Sequence, residues 1–200
     1  MHTYVRQYCE DFLRIMNAFR VTLKTTEEVD FFHGVEATVE LILGQTGLGR
    51  KIMFIGNGAS AAMASHMAAD FLKNGGVRTI SFNDGPLLTC LGNDYGYRHV
   101  FEKPVEIMAD AGDILVAISS SGKSENILRG VEAAKTKSCA IITLSGFDEA
   151  NLLSRSGDIN FYVPSPKYGP VEIAHQFIGH CVLDTILEHQ SRTRNEGANP

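Results

Sequence analysis

Residues 51–70 constrain the fold of this chain more than any other stretch. An apolar run of β type, residues 51–55, ends in the glycine-rich turn 56–58 and leads directly into an alanine-rich stretch. A strand that passes through such a turn into a helix leaves the first backbone N–H groups of the helix free to bind an anion. His66 and Asp70 follow at i and i+4, on one face of that helix. The segment therefore predicts an anion-binding turn beside a pair of acid/base or metal-ligating groups.

Short apolar runs alternate with helical stretches along the rest of the chain. The predicted strands are residues 51–55, 78–82, 113–118, 140–144 and 158–163, and the predicted helices between them cover about residues 60–73, 98–109, 123–136 and 148–155. Such alternation predicts an α/β fold, with three layers, doubly wound, in which a five-stranded parallel sheet is flanked by helices on both faces. Ligands in such sheets bind beyond the carboxyl ends of the strands, so the turns after Ile55 and Ile118 are expected at the same edge.

The N-terminal part of the chain is predicted to be helical. Residues 3–22 repeat apolar positions at spacings of three and four, which predicts an amphipathic helix. A second helix is predicted to begin at Thr25 or Thr26, with Glu27 and Glu28 in its first turn. Both helices precede the first predicted strand. Two interpretations are open: the helices pack against copies of the chain in an oligomer, or they cover the sheet.

The length of 200 residues suits a single domain with a full core. We divide it into an N-terminal helical segment, residues 1–48, an α/β core, residues 49–189, and a flexible polar tail, residues 190–200. The last helix of the core is predicted to run from Val171 to about His189, after a proline-rich approach.

Composition excludes some classes of partner. The net charge is −5 and no dense block of lysine and arginine occurs, which argues against a direct nucleic-acid surface. The four cysteines lie far apart without a Cys-x-x-Cys pair, and no signal peptide is recognisable, so we expect reduced thiols in a cytoplasmic protein. No apolar run approaches the roughly 18 residues of a membrane span, so no membrane partner is expected.

A second turn, residues 118–126, combines four serines with a glycine between a strand and a helix. Serine hydroxyls, close backbone approach at Gly122 and the N-terminus of the next helix together suit a phosphate monoester. The Gly-x4-Gly-Lys-Ser/Thr spacing of a P-loop is absent. Serine-rich turns are also common helix caps, and by itself the pattern does not separate the two interpretations.

Six motifs together resemble one family over nearly the whole chain. They are Gly-Asn-Gly-Ala-Ser at 56–60, His66 with an acidic residue four positions later, Gly-Asn-Asp-Tyr-Gly at 92–96, the run 112–122 ending in Ser-Ser-Ser-Gly, Ile-Thr-Leu-Ser-Gly at 142–146, and the helix 172–180. The sequence is similar to the sugar isomerase (SIS) domain family, and within it to the phosphoheptose isomerase branch. The resemblance implies an aldose–ketose isomerase that converts sedoheptulose 7-phosphate to D-glycero-D-manno-heptose 7-phosphate for surface polysaccharide (lipopolysaccharide or capsule) synthesis.

The resemblance also implies roles for particular residues. The substrate would be held by Asn57, Ser60, Asp94, Ser119, Ser120, Ser121 and Ser124, and a metal ion, zinc, one per site, by His66, Asp70, Glu172 and His180. Proton transfer through an enediolate would use Asp70 or Glu172 as the base and His180 as the acid. Relatives assemble as homotetramers that share residues between sites, which would give the N-terminal helices a role.

This chain departs from the family pattern at several positions near the sugar. It has Asp70 where the pattern has glutamate, Glu172 where it has glutamine, Asn74 where it has arginine and Gly169 where it has aspartate. Two interpretations are open: Glu172 takes over the role of the base, or the substrate is another ketose phosphate. His175 is a further candidate for lining the site, although a packing role fits it equally well.

Two functions of other classes compete with the enzyme. One is a non-catalytic SIS module that binds a partner, like the DnaA-binding regulators of replication initiation within the family. Those relatives lack the acidic residue that matches Asp70 and the histidine that matches His180, and both are present here. The other is a sugar-phosphate sensor that binds without turnover.

Overall fold

The computed structural model describes residues 1–24 and 27–197. The strands are β1 (Arg20–Leu23), β2 (Glu27–Val29), β3 (Ile52–Gly56), β4 (Thr79–Ser81), β5 (Ile114–Ser119), β6 (Ala140–Ser145) and β7 (Ile159–Tyr162). The helices are α1 (His2–Met16), α2 (Phe31–Gly47), α3 (Ala59–Lys73), α4 (Gly85–Tyr95), α5 (Glu102–Met108), α6 (Glu125–Thr136) and α7 (Tyr168–Gly197), and single 3₁₀ turns lie at Tyr97–His99 and Leu153–Arg155.

The described residues form one sheet of seven strands in the order β2-β1-β7-β6-β5-β3-β4. Five neighbouring strands pair in parallel, in the order β7-β6-β5-β3-β4, and they are the five strands predicted from the sequence. The α/β fold with a parallel central sheet is therefore confirmed. The predicted number of strands was wrong, because β1 and β2 form an antiparallel hairpin that pairs with β7. The hairpin covers an edge of the parallel sheet that would otherwise expose unpaired backbone groups.

The N-terminal helices are shorter than predicted. Helix α1 ends at Met16 rather than near residue 22, and the chain turns so that Val21 of β1 is completely buried against the sheet. The apolar positions of residues 3–22 fit a helical spacing, but the last of them belong to a strand, an ambiguity that periodicity leaves in short runs. Thr25 and Thr26, the predicted start of the second helix, lie outside the described residues.

The second helix begins later than predicted because of its cap. Glu27 and Glu28 belong to β2 and not to a helix. Helix α2 starts at Phe31, where the carboxylate of Asp30 accepts a hydrogen bond of 2.9 Å from the backbone N–H of His33. An aspartate in this position satisfies an N–H group that the helix itself leaves free.

Two other predicted helices differ from the structure, and one helix of the structure was not predicted. Residues 98–109 divide into a 3₁₀ turn and α5, which starts shortly before Pro104, a residue tolerated only in a first turn. Residues 148–155 contain only a 3₁₀ turn, because the Asp148 and Asn151 side chains bond to nearby backbone instead. Helix α4 was not predicted, although Asp84 as its cap and Pro86 in its first turn are start signals.

The helices cover both faces of the sheet, as the three-layer prediction requires. Helices α2, α3 and α7 lie over one buried apolar cluster and α4, α5 and α6 over the other. Helix α7 continues through residue 197, so residues 190–197, expected to be a flexible tail, are helical. Helix α1 is different, because none of its residues is buried and Tyr4, Val5 and Leu13 are exposed.

Candidate active site

The carboxyl ends of β3 and β5 bring the two predicted turns together. The strands pair in parallel with Gly56 opposite Ile118, which confirms that both turns lie at the same edge of the sheet. Helices α3 and α6 begin there, so two helix N-termini point their free N–H groups and partial positive charge toward one space. We call this space the serine cleft; its lining comprises Asn57, Gly58, Ala59, Ser60, Ile118, Ser119, Ser120, Ser121, Ser124, Tyr168 and Glu172.

The serine-rich turn is rigidly built. Gly122 has φ of +60°, and a Cβ atom there would lie only 1.8 Å from Oδ1 of the buried Asn151. Ser119 accepts a hydrogen bond from the Gly122 backbone N–H. Ser124 occupies the cap position of α6, yet its hydroxyl makes no capping hydrogen bond. The capping alternative therefore does not account for Ser124, whose hydroxyl accepts only a long hydrogen bond of 3.5 Å from the Ser119 hydroxyl and lines the cleft.

Asn57 is held by two side chains that the sequence analysis did not single out. The Asn57 and Asn126 amides bond to each other reciprocally, at 2.9 Å and 2.8 Å, and the Tyr97 hydroxyl donates to Asn57 Oδ1 at 2.9 Å. We call these three residues the Asn57 network. Asn126 lies in the first turn of α6 and is 4% exposed. Asn126 could have been suspected from the sequence, because it is a polar residue just after the serine-rich turn. Nothing in the sequence links Tyr97 to the first turn.

Helix α7 closes the cleft from the other side. Tyr168, its first residue, and Glu172 both line the cleft. The Tyr168 ring packs edge-on against Phe147 at 4.8 Å between centroids. Tyr168 was not predicted as a site residue.

The second part of the site is a cluster of His66, Asp70 and His180, which we call the metal cluster. Asp70 Oδ2 lies 3.3 Å from His66 Nε2 and 4.0 Å from His180 Nδ1. One ligand atom from each residue lies within 4.8 Å of the other two. The side chains remain accessible, with relative exposures of 52% for His66, 23% for Asp70 and 40% for His180. The structure thus brings together α3 and α7, which sequence spacing alone could not do.

The metal cluster has the donor types that could hold a metal ion. Ligand atoms around tetrahedral zinc lie about 3.3 Å apart, given bonds of roughly 2.0 Å. Two imidazoles and one carboxylate with a fourth position open are the donor set of catalytic zinc sites. The distance of 3.3 Å between Asp70 and His66 equals this spacing. The wider distances in the cluster would reach it if the side chain of an exposed histidine moved slightly.

Two predicted site residues lie outside the metal cluster. Glu172, proposed as a fourth metal ligand, is not part of the metal-capable group found among the described residues and faces the serine cleft. Asp94 is exposed at the end of α4, where its carboxylate accepts a hydrogen bond from Asn93, and it does not line the cleft.

His175 is a packing residue rather than a site residue. It is 2% exposed, and its Nε2–H donates to the Ser145 carbonyl at 3.1 Å. Burial in a largely apolar cavity lowers its pKa to about 4, since the charged form would lose its hydration. Its Nδ1 has no hydrogen-bond partner among the described residues.

A model of the SIS domain matches residues 7–146. The chain belongs to the SIS domain family. Among curated relatives, the phosphoheptose isomerase of Sulfurimonas denitrificans is 32% identical over 179 residues, covering 86% of this chain and 91% of that protein. The phosphoheptose isomerase of Nitratiruptor sp. is 39% identical over 145 residues, covering 70% and 77%.

A solved structure agrees with the fold. The phosphoheptose isomerase of Neisseria gonorrhoeae superposes with a TM-score of 0.80 at 30% identity, over 92% of this chain and 97% of that one. The predicted family and its phosphoheptose isomerase branch are therefore confirmed. No helix among the described residues combines the length and apolar character that crossing a bilayer demands.

Proposed function

We propose that this SIS protein is a phosphoheptose isomerase that converts sedoheptulose 7-phosphate to D-glycero-D-manno-heptose 7-phosphate for surface polysaccharide synthesis. The observation that carries the proposal is the metal cluster on α3 and α7, the two helices that also contribute Ser60 and Glu172 to the serine cleft. Groups able to move protons thus stand next to donors able to hold a phosphate. The names of its relatives support the same activity.

The serine cleft would hold the phosphate. Ser60, Ser119 and Ser120 are each at most 6% exposed and line the cleft, so the little surface they keep is directed into it. Ser121 and Ser124 line the same space beside the α6 N-terminus. Hydroxyl and backbone donors with a helix dipole can bind a phosphate dianion without lysine or arginine.

Glu172 is the proposed base and His180 the proposed acid. Isomerisation requires that one group remove a proton from C1 of the ketose and return it to C2, while another moves a hydroxyl proton from O1 to O2. Glu172 lines the cleft and so can face the sugar carbons, whereas Asp70 lies between the two histidines. In this proposal the carboxylate of Glu172, where the family pattern has glutamine, takes part directly in proton transfer.

Zinc is the proposed ion of the metal cluster, held by His66, Asp70 and His180, one ion per site. When bound, such an ion polarises a carbonyl as a Lewis acid and stabilises the negative charge of an enediolate. Glu172 and Asp94 remain candidates for contact with the ion or the sugar in an assembled enzyme.

A cytoplasmic homotetramer is the proposed assembly. The serine cleft of one chain has a volume of about 240 Å³, below the roughly 300–1,000 Å³ of complete small-molecule pockets. Helix α1 leaves Tyr4, Val5 and Leu13 exposed and packs only partly buried apolar residues against the core. A neighbouring subunit that covers α1 would both bury those residues and complete the cleft.

The test is turnover of a panel of phosphorylated ketoses by the purified protein, with metal analysis of the same sample. We expect sedoheptulose 7-phosphate to be the best substrate, about one zinc per chain, and a rate that falls on chelation and recovers with added zinc. Turnover of a different ketose phosphate would keep the chemistry and correct the substrate. If the protein shows no turnover, holds no metal and co-purifies with a replication initiator, the non-catalytic module is supported instead. If it binds a sugar phosphate without turnover, the sensor is supported.

A further inference from the structure

The orientation of the Asn57 amide is determined by its neighbours. The backbone N–H of Ile127 points at Asn126 Oδ1, 3.0 Å away, and shares its proton with the Ser124 carbonyl at 3.1 Å. A backbone N–H can only donate, so the atom it faces must be the amide oxygen of Asn126. The amide nitrogen of Asn126 then faces Asn57, and the atom of Asn57 that receives it must be the oxygen. Because Asn126 is buried, reversing either amide would leave donors facing donors without water to relieve them.

This orientation leaves Asn57 with one kind of free hydrogen-bonding group. A carbonyl oxygen has two lone pairs, and Asn57 Oδ1 already accepts from both Asn126 and Tyr97. The amide nitrogen carries two protons, of which one is donated to Asn126 Oδ1. Asn57 lines the serine cleft, so the second proton is the group that it can offer to a ligand.

We infer that Asn126 and Tyr97 are positioning residues that make Asn57 a fixed hydrogen-bond donor to an oxygen of the bound sugar phosphate. Asn57 accordingly cannot accept a hydrogen bond from a sugar hydroxyl. A donor held in place before the ligand arrives needs no reorganisation when negative charge develops on an oxygen during the reaction. The inference rests on the proposed function for the identity of the ligand, but the network itself is independent of it.

The first experiment observes the amide directly. In the ¹⁵N-labelled full-length protein, the side-chain NH₂ signals of Asn57 are identified by their loss in Asn57→Ala. We expect Tyr97→Phe to shift these signals, because the hydroxyl that bonds Asn57 Oδ1 is removed. Tyr95→Phe is the matched control: this tyrosine is 55% exposed on the same segment and should leave the signals unchanged. Asn57 signals that do not respond to Tyr97→Phe would overturn the inference.

The second experiment measures kcat/KM with sedoheptulose 7-phosphate. Tyr97→Phe should lower it about threefold to tenfold, the worth of one neutral hydrogen bond. Asn126→Asp should lower it by about 10², since a carboxylate oxygen facing Asn57 Oδ1 would repel it and displace the amide donor from its position. Both effects should disappear when Asn57→Ala is also present, because the two residues act through Asn57. Undiminished losses in that background would contradict a positioning role.

The two experiments separate this inference from the proposed function. A wild-type protein that isomerises no sugar phosphate would end the proposed function, and the NMR comparison would still decide the Asn57 network. An active protein with unresponsive Asn57 signals would end the network alone. If Asn126→Asp does not fold, Tyr97→Phe decides, since Tyr97 is 59% exposed and its hydroxyl is not needed for packing.

Discussion

The serine cleft and the metal cluster share helices α3 and α7, but a single chain holds the side chains of the cleft in place more firmly than those of the cluster. In the cleft, Ser119 and Ser120 are each 6% exposed, and Gly122 is locked against Asn151. In the cluster, His66 and His180 are 52% and 40% exposed, and their rings meet edge-on with centroids 5.3 Å apart. The chain thus builds its anion site from its own backbone and buried hydroxyls, and leaves its chemical groups to be organised by an ion or a neighbouring subunit.

The largest expected effect separates the two regions. His180→Ala should lower kcat by about 10³-fold or more, because an acid–base group contributes roughly 10²–10⁴-fold. Binding of inorganic phosphate, measured by calorimetry, should be unchanged, since His180 does not line the cleft. His189→Ala, an exposed histidine of the same helix, is the control and should retain full activity. Robust turnover by His180→Ala would show that the cluster has no part in the chemistry.

The next effect tests the rigidity of the cleft. Gly122→Ala should lower the free energy of unfolding by about 3 kcal/mol or more, because it combines a positive φ with overpacking. Its new Cβ would collide with Asn151, which four hydrogen bonds hold in place. Gly49→Ala has φ of +77° with open space around it, and should cost only about 1 kcal/mol of strain. Equal losses in denaturant titrations of the two variants would refute the collision.

A third effect concerns the helix that connects the two regions. His175 anchors α7 to β6 and has a pKa of about 4 in place of its usual 6.5. Between these values the unfolded chain binds a proton that the folded chain does not, so stability falls as pH decreases from about 6.5 to 4. The loss should approach ~3 kcal/mol, at 1.36 kcal/mol for each unit of pKa.

Unfolding titrations at pH 7 and pH 4.5 measure this dependence. His175→Gln should reduce the difference between the two pH values, whatever its effect at pH 7. His33 is the exposed control, and Asp30 raises its pKa, so its contribution has the opposite sign. An unchanged pH dependence in His175→Gln would exclude His175 as its source.

The smallest effect measures a single donor of the cleft. Ser124→Ala should raise KM about tenfold with little change in kcat, since a hydrogen bond to a charged group is worth roughly 1.5–3 kcal/mol. The hydroxyl does not cap α6 and accepts only a long hydrogen bond of 3.5 Å from Ser119, so the thermal midpoint should change little. Ser156→Ala, which removes a hydroxyl bonded to the Leu152 carbonyl outside the cleft, should leave KM unaltered. A lower midpoint with unchanged KM would return Ser124 to a capping role.

The sequence predicted those elements of the fold that depend on the local spacing of apolar residues. The five parallel strands followed from short apolar runs, and His66 with Asp70 on one helix face followed from helical spacing. The β1–β2 hairpin was missed because its few residues carry apolar spacings that fit a helix as well as a strand. Its conformation depends on pairing with β7, some 138 residues away in the chain, as for Thr22 and Asn160.

The candidate site shows the same distinction between features set by local spacing and features set by tertiary contacts. The sequence by itself determined that two glycine- and serine-containing turns follow neighbouring strands, and that α3 carries a histidine and a carboxylate in register, because backbone geometry links spacing to position. The resemblance to the family named His180 as their partner, and the tertiary structure places it beside them. Only the tertiary structure decided that Glu172 faces the cleft instead, and that Tyr97 and Asn126 orient Asn57. These contacts depend on how helices pack across the sheet, which no local spacing encodes.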